Sequence, residues 1–146
     1  MDNGKKPGVG VGVMILRGNT VLLGKRHSDP AKADSELHGE GSWTMPGGKL
    51  HFQEELEEAV CREVMEEIGV AIDKEKLRII SVTNDKTIDS HFVTIGFLYE
   101  GLEGEPRVME PDEIVEWKWF DLKALPSPIF FPSEKILKKY LAKESR

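Results

Sequence analysis

The stretch Gly48–Val70 reads GKLHFQEELEEAVCREVMEEIGV and carries seven glutamates between Glu54 and Glu67. Read as a helix over Gln53–Ile68, it repeats apolar residues at three- and four-residue spacing, which makes an apolar stripe along one face. The members of the stripe are Leu56, Ala59, Val60, Val64 and Ile68. We therefore expect an amphipathic helix that follows a Pro-Gly-Gly turn and ends at Gly69.

The same helix crowds the carboxylates of Glu63, Glu66 and Glu67 onto a second patch. A Glu-rich face is often only a solvated surface, but like charges at this spacing cost about 0.2–0.5 kcal/mol per pair. Glu67 also lies near the C-terminal end of the helix, where the helix dipole disfavours anions. A divalent cation would neutralise the patch, and hard cations such as magnesium bind carboxylate and phosphate oxygens. The pattern therefore predicts a metal site.

Length and composition predict one soluble globular domain. The chain has 146 residues, 39% of them hydrophobic, which suffices for one buried core. A net charge of −6 argues against a binder of polymeric nucleic acid, although a bound metal would still admit small phosphorylated ligands. The apolar run Val9–Leu16 is too short for a membrane span and lacks a signal-peptide cleavage region. We expect a cytoplasmic protein with no membrane partner, whose residues 1–7 form a flexible tail.

Cys61 is the single cysteine, which excludes an intrachain disulfide and is consistent with a reducing compartment. It falls in the middle of the predicted helix, turned away from the glutamate patch. A packing role is therefore favoured over a role as nucleophile.

The remaining sequence predicts strands and one more helix. Val9–Leu16 and Val21–His27 predict a hairpin. Further strands are expected over Trp43–Met45, Leu77–Thr87 (bent near Ser81–Asn84), His91–Glu100 and Ile114–Phe120, and a helix over Glu134–Lys143. Ser133 is the expected cap of that helix. Together these elements predict an α/β fold, a mixed sheet with helices packed on it.

Two segments outside the helix suggest ligand contacts. The polar loop Ser28–Ser42 has no periodicity and is as long as many binding lids. Arg26 precedes this loop, and a substrate contact and a plain surface cation are equally open for it. The adjacent Gly47 and Gly48 suggest a close approach of main chain to ligand.

The opening stretch also matches a family signature. The matched positions are Gly48, Glu54, Arg62-Glu63-Val64, Glu66-Glu67 and Gly69-Val70, with the spacing of the complete Nudix box. Together with the LLGKR, WTMPGG, VTI and EWKWF segments, this box makes the chain resemble the MutT-type nucleoside triphosphate diphosphatases of the Nudix family. The local departure is Gln53, where many relatives place glycine, and it bears on the shape of the loop.

The resemblance implies an α/β/α sandwich, one Nudix hydrolase domain over residues 1–146 and a metal-dependent reaction. Magnesium is the expected cofactor, with manganese as an alternative. By motif position, Glu63, Glu66 and Glu67 would bind the metal ions, with the carbonyl of Gly47 as a further ligand. Glu113, or with less support Glu110, would supply another carboxylate, although a solvated loop position fits either almost as well.

The resemblance also implies catalytic roles. Glu54 would orient ligands or water, and Arg62 would pair with Glu58 or Glu66 and hold the helix glutamates in place. A carboxylate beside the attacking water can take its proton. Relatives differ in this base, so Glu63 is named first and Glu66 second.

Substrate contacts outside the box carry weaker signals. By similarity, Arg26 would contact phosphate, Gly48 would approach the substrate with its main chain, and Thr94, Phe130 and Phe131 would line the base pocket. For an aromatic pair near the C-terminus, core packing is the more common role. Trp117 and Trp119 share one strand face, and core packing is expected for both as well.

The expected activity is hydrolysis of a (deoxy)nucleoside triphosphate to monophosphate and pyrophosphate. No proline follows the box at the spacing of many ADP-ribose hydrolases, where this chain reads Asn84-Asp85-Lys86. ADP-ribose or another nucleoside-diphosphate derivative remains the runner-up. A nucleotide-sensing module without catalysis is a third reading, disfavoured because all the metal-binding glutamates are present. The expected partner is the nucleotide substrate, and a homodimer is left open.

Overall fold

A seven-stranded mixed sheet lies between two helices in the computed structural model, which describes residues 4–33 and 35–144. The strands are β1 (Gly8–Arg17), β2 (Thr20–Arg26), β3 (Trp43–Thr44), β4 (Gly47–Lys49), β5 (Arg78–Lys86), β6 (His91–Glu100) and β7 (Ile114–Asp121). The helices are α1 (Leu56–Ile68) and α2 (Phe131–Glu144), and a 3₁₀ turn spans Lys74–Lys76. The expected sandwich of helix, sheet and helix is confirmed.

The sheet splits beside its central strand. β1 pairs with β6 in parallel along most of its length, but it pairs with β2 only next to their turn, at Leu16↔Val21 and Arg17↔Thr20. Beyond the turn β2 pairs with β7 and β3, while β4 pairs with the first half of β1. The predicted hairpin therefore exists only near its turn, and the chain from β3 to β4 crosses the gap.

The expected Pro-Gly-Gly turn is wrong, because Gly47 and Gly48 belong to β4. Val13 N donates to Pro46 O across 2.9 Å, which ties the crossing segment to β1. A Cβ atom on Gly47 would overlap the carbonyl oxygen of Val11. The glycine thus permits a backbone approach that a side chain would prevent.

The two faces of β1 differ in what they carry. Its valines and Ile15 pack against α1, and the shared core contains Val11, Val13, Ile15, Ala59, Val60, Val64 and Ile68. Its other face packs on α2 through a second core that includes Met14, Leu16, Leu98, Ile136 and Leu137. On that second face Gly10 and Gly12 carry no side chain, and a Cβ atom on Gly12 would crowd Ile136 Cδ1 at 3.1 Å.

Helix α1 begins at Leu56, three residues later than predicted. Gln53 adopts a left-handed backbone conformation with φ of 64°, which interrupts the helical pattern. Glu55 then caps the helix in a capping box, in which the Glu58 side chain accepts from Glu55 N. The C-terminal end is as predicted, with Gly69 left-handed at φ of 72°.

The strained conformation at Gln53 predicts a stabilising substitution. Gln53→Gly removes the clash of a Cβ atom in the left-handed region, partly offset by the greater freedom of glycine in the unfolded chain. We expect a gain of about 1 kcal/mol, or about 2–4 °C in Tm, in thermal unfolding. Gln53→Ala keeps the Cβ atom and serves as control. Equal Tm values for the two variants would contradict this account.

Helix α2 begins at Phe131, so the expected cap at Ser133 is wrong. Ser133 lies in the first turn, and its Oγ accepts from Met45 N at 3.0 Å instead of capping its own helix. Glu134 N donates to Phe130 O, which places the start of the helix before Pro132. Pro132 is tolerated there because the first helical N–H groups have no partner within the helix.

The predicted bend in β5 and the predicted N-terminal tail can both be compared with the structure. The irregularity of β5 lies between Ile79 and Ser81, at the start of the predicted bend. Of the predicted tail, residues 1–3 lie outside the described residues, while residues 4–7 precede β1 without regular structure. Among the described residues, no helix is both long and apolar enough to cross a membrane.

Candidate active site

A cavity of about 470 Å³ opens where the sheet splits. Glu36, from the loop before β3, lines this cavity. A group of five further carboxylates comes from α1 and from the loop before β7, namely Glu63, Glu66, Glu67, Glu110 and Glu113. We call this group the acidic end. The wall contributed by α2 and its neighbours is more apolar and includes Thr44, Met45, Thr94, Phe130, Ser133 and Ile136. We call this group the α2 end.

The carboxyl groups of Glu63 and Glu67 form the innermost part of the acidic end. Glu67 Oε2 accepts from Gly47 N at 3.1 Å. Burial raises the pKa of Glu67, and the negative charge of Glu63 and a hydrogen bond between the two carboxyls raise it further. Burial also raises the pKa of Glu63. Burial and mutual repulsion therefore disfavour two charged carboxylates side by side at this point.

Gly48 makes room for this pair. A Cβ atom at position 48 would overlap the Glu63 carboxylate. The signature glycine thus has a local steric reason, since any side chain would push Glu63 out of its position. The main chain at Gly48 does approach another group closely, but in this structure that group is the Glu63 side chain.

Arg62 binds three carboxylates at once. Its Nε lies 2.8 Å from Glu54 Oε2, and its Nη1 lies 2.9 Å from Glu63 Oε2 and 3.4 Å from Glu66 Oε2. Its Nη2 also donates to Lys49 O at 3.0 Å. These bonds raise the pKa of Arg62 and fix a guanidinium that joins the start of α1 to its acidic patch.

Glu54 is the fixed partner in this arrangement. Its Oε1 accepts from His51 N at 3.0 Å, and the hydrogen bonds from Arg62 and this backbone group lower its pKa to about 2. The alternative pairing of Arg62 with Glu58 is wrong, because Glu58 is used in the capping box. Glu54 therefore acts on Arg62 rather than facing the cavity.

Glu110 and Glu113 approach the glutamates of α1 from the opposite wall. Burial raises the pKa of Glu110, and the charges of Glu113, Glu66 and Glu63 add to the effect. Sequence reasoning placed Glu113 ahead of Glu110, but the structure brings both to the cavity. Both precede the same strand, so their order could not be read from the chain alone.

The acidic end fits a hard divalent cation in the kind of ligand it offers. It gathers carboxylate oxygens, and burial disfavours their charged forms unless a cation or a proton compensates them. Within the described part of the chain, no three His, Cys, Asp or Glu side chains already surround one point at metal-binding spacing. The fit to a cation therefore rests on the chemistry of these oxygen ligands.

Arg26 holds the loop that follows it. Its Nε donates to Gly39 O at 3.0 Å and its Nη2 to Ala33 O at 2.8 Å. Its guanidinium also lies 4.9 Å from the centre of the Phe130 ring. Arg26 lines the cavity, but two of its donors are committed to the loop, and a phosphate contact remains a prediction.

Only some of the residues predicted to form the base pocket line the cavity. Thr94 and Phe130 line the cavity, whereas Phe131 is not among the described residues that do so. The centre of the Phe131 ring lies 5.9 Å from that of Phe130, with the two rings tilted by 58°, and Lys135 Nζ lies over the Phe131 ring. Trp117 and Trp119 pack against the α1 core, as expected.

Several lining residues were not predicted from the sequence, and three of them are polar. Thr44 and Lys49 flank the Pro-Gly-Gly segment, and Ser133 was assigned to a helix cap. Ser133 is a polar residue within the apolar segment that begins α2, and this position could have indicated that it lines the cavity. Lys49 makes a 2.6 Å ion pair with Glu36 of the loop, across the cavity mouth.

Comparison with known proteins places this site in a family. The NUDIX domain model matches residues 6–140. An "ADP-ribose pyrophosphatase" of Methanocaldococcus jannaschii is 33% identical over 92% of this chain and 73% of its own length. An "Oxidized purine nucleoside triphosphate hydrolase" of Danio rerio is 29% identical over 78% of this chain and 66% of its own length.

Solved structures and longer relatives agree with this placement. A "MutT NUDIX hydrolase" from Burkholderia pseudomallei superposes with a TM-score of 0.81 at 34% identity, over 92% of this chain and 98% of its own. Proteins named "NAD-capped RNA hydrolase", such as one from Pseudomonas aeruginosa, are 32% identical. The chain spans only 40% of the length of that relative.

Proposed function

Because the chain belongs to the NUDIX family and is a pyrophosphohydrolase, we propose that it hydrolyses (deoxy)nucleoside triphosphates to nucleoside monophosphates and pyrophosphate. The observation that carries this proposal is one cavity with two unlike ends. Its volume of about 470 Å³ lies in the range of small-ligand sites. The acidic end suits a metal-bound phosphate chain, and the α2 end offers the aromatic ring of Phe130 to a base.

A magnesium ion, or manganese in its place, would be held by Glu63, Glu66 and Glu67 with the carbonyl of Gly47. When bound, it supplies charge neutralisation on phosphate oxygens and a lowered pKa of bound water. Glu113 and Glu110 would complete the oxygen ligands from the opposite wall.

The chain's own residues would carry the rest of the reaction. Water attacks phosphorus, the bridging P–O bond between the α- and β-phosphoryl groups breaks, and the proton of the water passes to a carboxylate. Glu63 is our first candidate for that base and Glu66 the second. Arg62, fixed by Glu54, would hold both carboxylates in position.

ADP-ribose is the second candidate substrate, because the Methanocaldococcus jannaschii relative bears that activity in its name at 33% identity. Its hydrolysis would use the same acidic end, since it too contains a pyrophosphate linkage. The net charge of −6 disfavours a polymeric nucleic acid as substrate.

A substrate panel tests the proposal. The protein with magnesium is given ribo- and deoxynucleoside triphosphates and ADP-ribose, and monophosphate and pyrophosphate are quantified by ion-exchange chromatography. We expect the highest kcat/KM for a triphosphate, with equal amounts of monophosphate and pyrophosphate. A higher kcat/KM for ADP-ribose would assign the second candidate, and release of nucleoside diphosphate with inorganic phosphate from triphosphates would overturn the proposed cleavage position.

A further inference from the structure

We propose that the hydroxyl groups of Thr44 and Ser133 select substrates whose base presents an exocyclic amino group. The inference rests on the proposed function, because it places the base at the α2 end while the phosphates occupy the acidic end. Both residues line the cavity and are otherwise buried, with 7% and 5% of their surface exposed. They come from different elements, Thr44 from β3 and Ser133 from the first turn of α2.

The hydroxyl pair belongs to a small closed network. Met45 N donates to Ser133 Oγ at 3.0 Å. Thr44 Oγ1 donates to Met45 O at 3.0 Å and lies 3.2 Å from Ser133 Oγ. Each hydroxyl owns one proton and two lone pairs, so the network can be counted.

The count leaves only acceptors for a ligand. With the Thr44 proton on Met45 O, the Ser133 proton is the one that joins the two hydroxyls, and three hydrogen bonds form. In the opposite arrangement Thr44 donates to Ser133, Met45 O loses this donor, and the Ser133 proton lacks a partner within the network. The first arrangement satisfies more groups, which matters in a buried site. One lone pair on each oxygen then remains unused.

A base that donates a hydrogen bond fits this pair, whereas a carbonyl does not. An amino group of adenine or guanine can donate to the free lone pairs without disturbing the network. A carbonyl oxygen would meet acceptors, or would force the second arrangement at the expense of one hydrogen bond. The expected discrimination is that of one neutral hydrogen bond, about 3- to 10-fold in affinity.

Binding of nucleoside monophosphates tests the inference separately from the reaction. AMP, GMP and IMP are compared by titration calorimetry, because IMP lacks both the 6-amino group of AMP and the 2-amino group of GMP. The wild-type protein should bind the better of AMP and GMP about 3- to 10-fold more tightly than IMP. Monophosphates are products for either candidate substrate class, so the comparison holds even where triphosphates are not turned over. Absence of triphosphate turnover would overturn the proposed function alone.

The variant Thr44→Val should change the ratio of affinities between the amino-bearing monophosphates and IMP, which a purely structural role of Thr44 would leave unchanged. It removes the acceptor of the Ser133 proton, which becomes free to donate to a base carbonyl. We expect the preference over IMP to shrink to less than about twofold or to reverse. Thr44→Ser keeps the hydroxyl and should retain the wild-type ratio.

Thr20→Val is the matched control, because Thr20 Oγ1 also donates to a backbone carbonyl, that of Arg17, far from the cavity. If Thr44→Val does not fold, Ser133→Ala should reduce the same ratio, since it deletes one of the two acceptors. Equal affinities of the wild-type protein for all three monophosphates would overturn the inference. So would a folded Thr44→Val protein with an unchanged ratio.

Discussion

Glu66→Gln is expected to lower kcat by about a hundredfold or more while the protein stays folded. The substitution removes one negative charge from the acidic end but keeps the size of the side chain and an oxygen for Arg62. Glu66 is half exposed at the cavity wall and supports no core packing. The loss should therefore appear in steady-state turnover with magnesium, with little change in Tm.

Glu57→Gln provides the matched control for this variant. Glu57 lies on the same helix, nine positions earlier, which is about two and a half turns and places it on the opposite face. Its removal deletes the same charge from α1 but not from the cavity. Comparable losses in the two variants would mean that the overall charge of the helix matters, and would refute the assignment of Glu66 as a metal ligand.

Arg62→Lys is expected to reduce kcat by about 10- to 100-fold despite the retained charge. A lysine cannot reproduce the geometry in which one guanidinium contacts Glu54, Glu63 and the Lys49 carbonyl together. Glu63 and Glu66 would then be held less firmly. We expect KM to change less than kcat, because Arg62 is assigned to the position of the carboxylates rather than to substrate binding.

Arg17→Lys tests whether loss of an arginine ion pair as such is costly. Arg17 pairs with Glu105 at 3.1 Å on the surface, remote from the cavity. Exposed pairs of this kind contribute little to stability, so this variant should retain wild-type kcat and Tm. If Arg62→Lys behaves like Arg17→Lys, the proposed role of Arg62 is wrong.

The parts of the fold that could be predicted are those set by local periodicity. The apolar stripe of α1 and its glycine stop were placed correctly because helical spacing and C-cap chemistry act within a few residues. β6 was placed at His91–Glu100, since its β-branched and aromatic residues have no helical period. The start of α1 was missed because Gln53 adopts a left-handed conformation, which helix propensity and apolar spacing do not indicate.

In the site, too, the features set by local sequence were predicted and those set by tertiary structure were not. The motif spacing placed Glu63, Glu66 and Glu67 correctly on α1, and the structure brings all three to one cavity. The α2 end depends on which strands separate and on how α2 crosses the sheet, and neither is encoded in a short window. For that reason Ser133 was misread as a cap and Phe131 was expected in the pocket.

The glycine-valine alternation in β1 has a consequence for how this enzyme can change. Its valines are committed to the core beneath α1, where a smaller or larger residue would be costly to fold. Gly10 and Gly12 line the cavity, where a Cβ atom on Gly10 would make an ordinary contact with Gly48 O, whereas a Cβ atom on Gly12 would press on buried Ile136. Residues that stabilise the core and residues that can alter ligand choice thus alternate along one strand. A library at Gly10 can therefore explore new substrates with little change in thermal stability, whereas a library at Gly12 has to vary Ile136 at the same time.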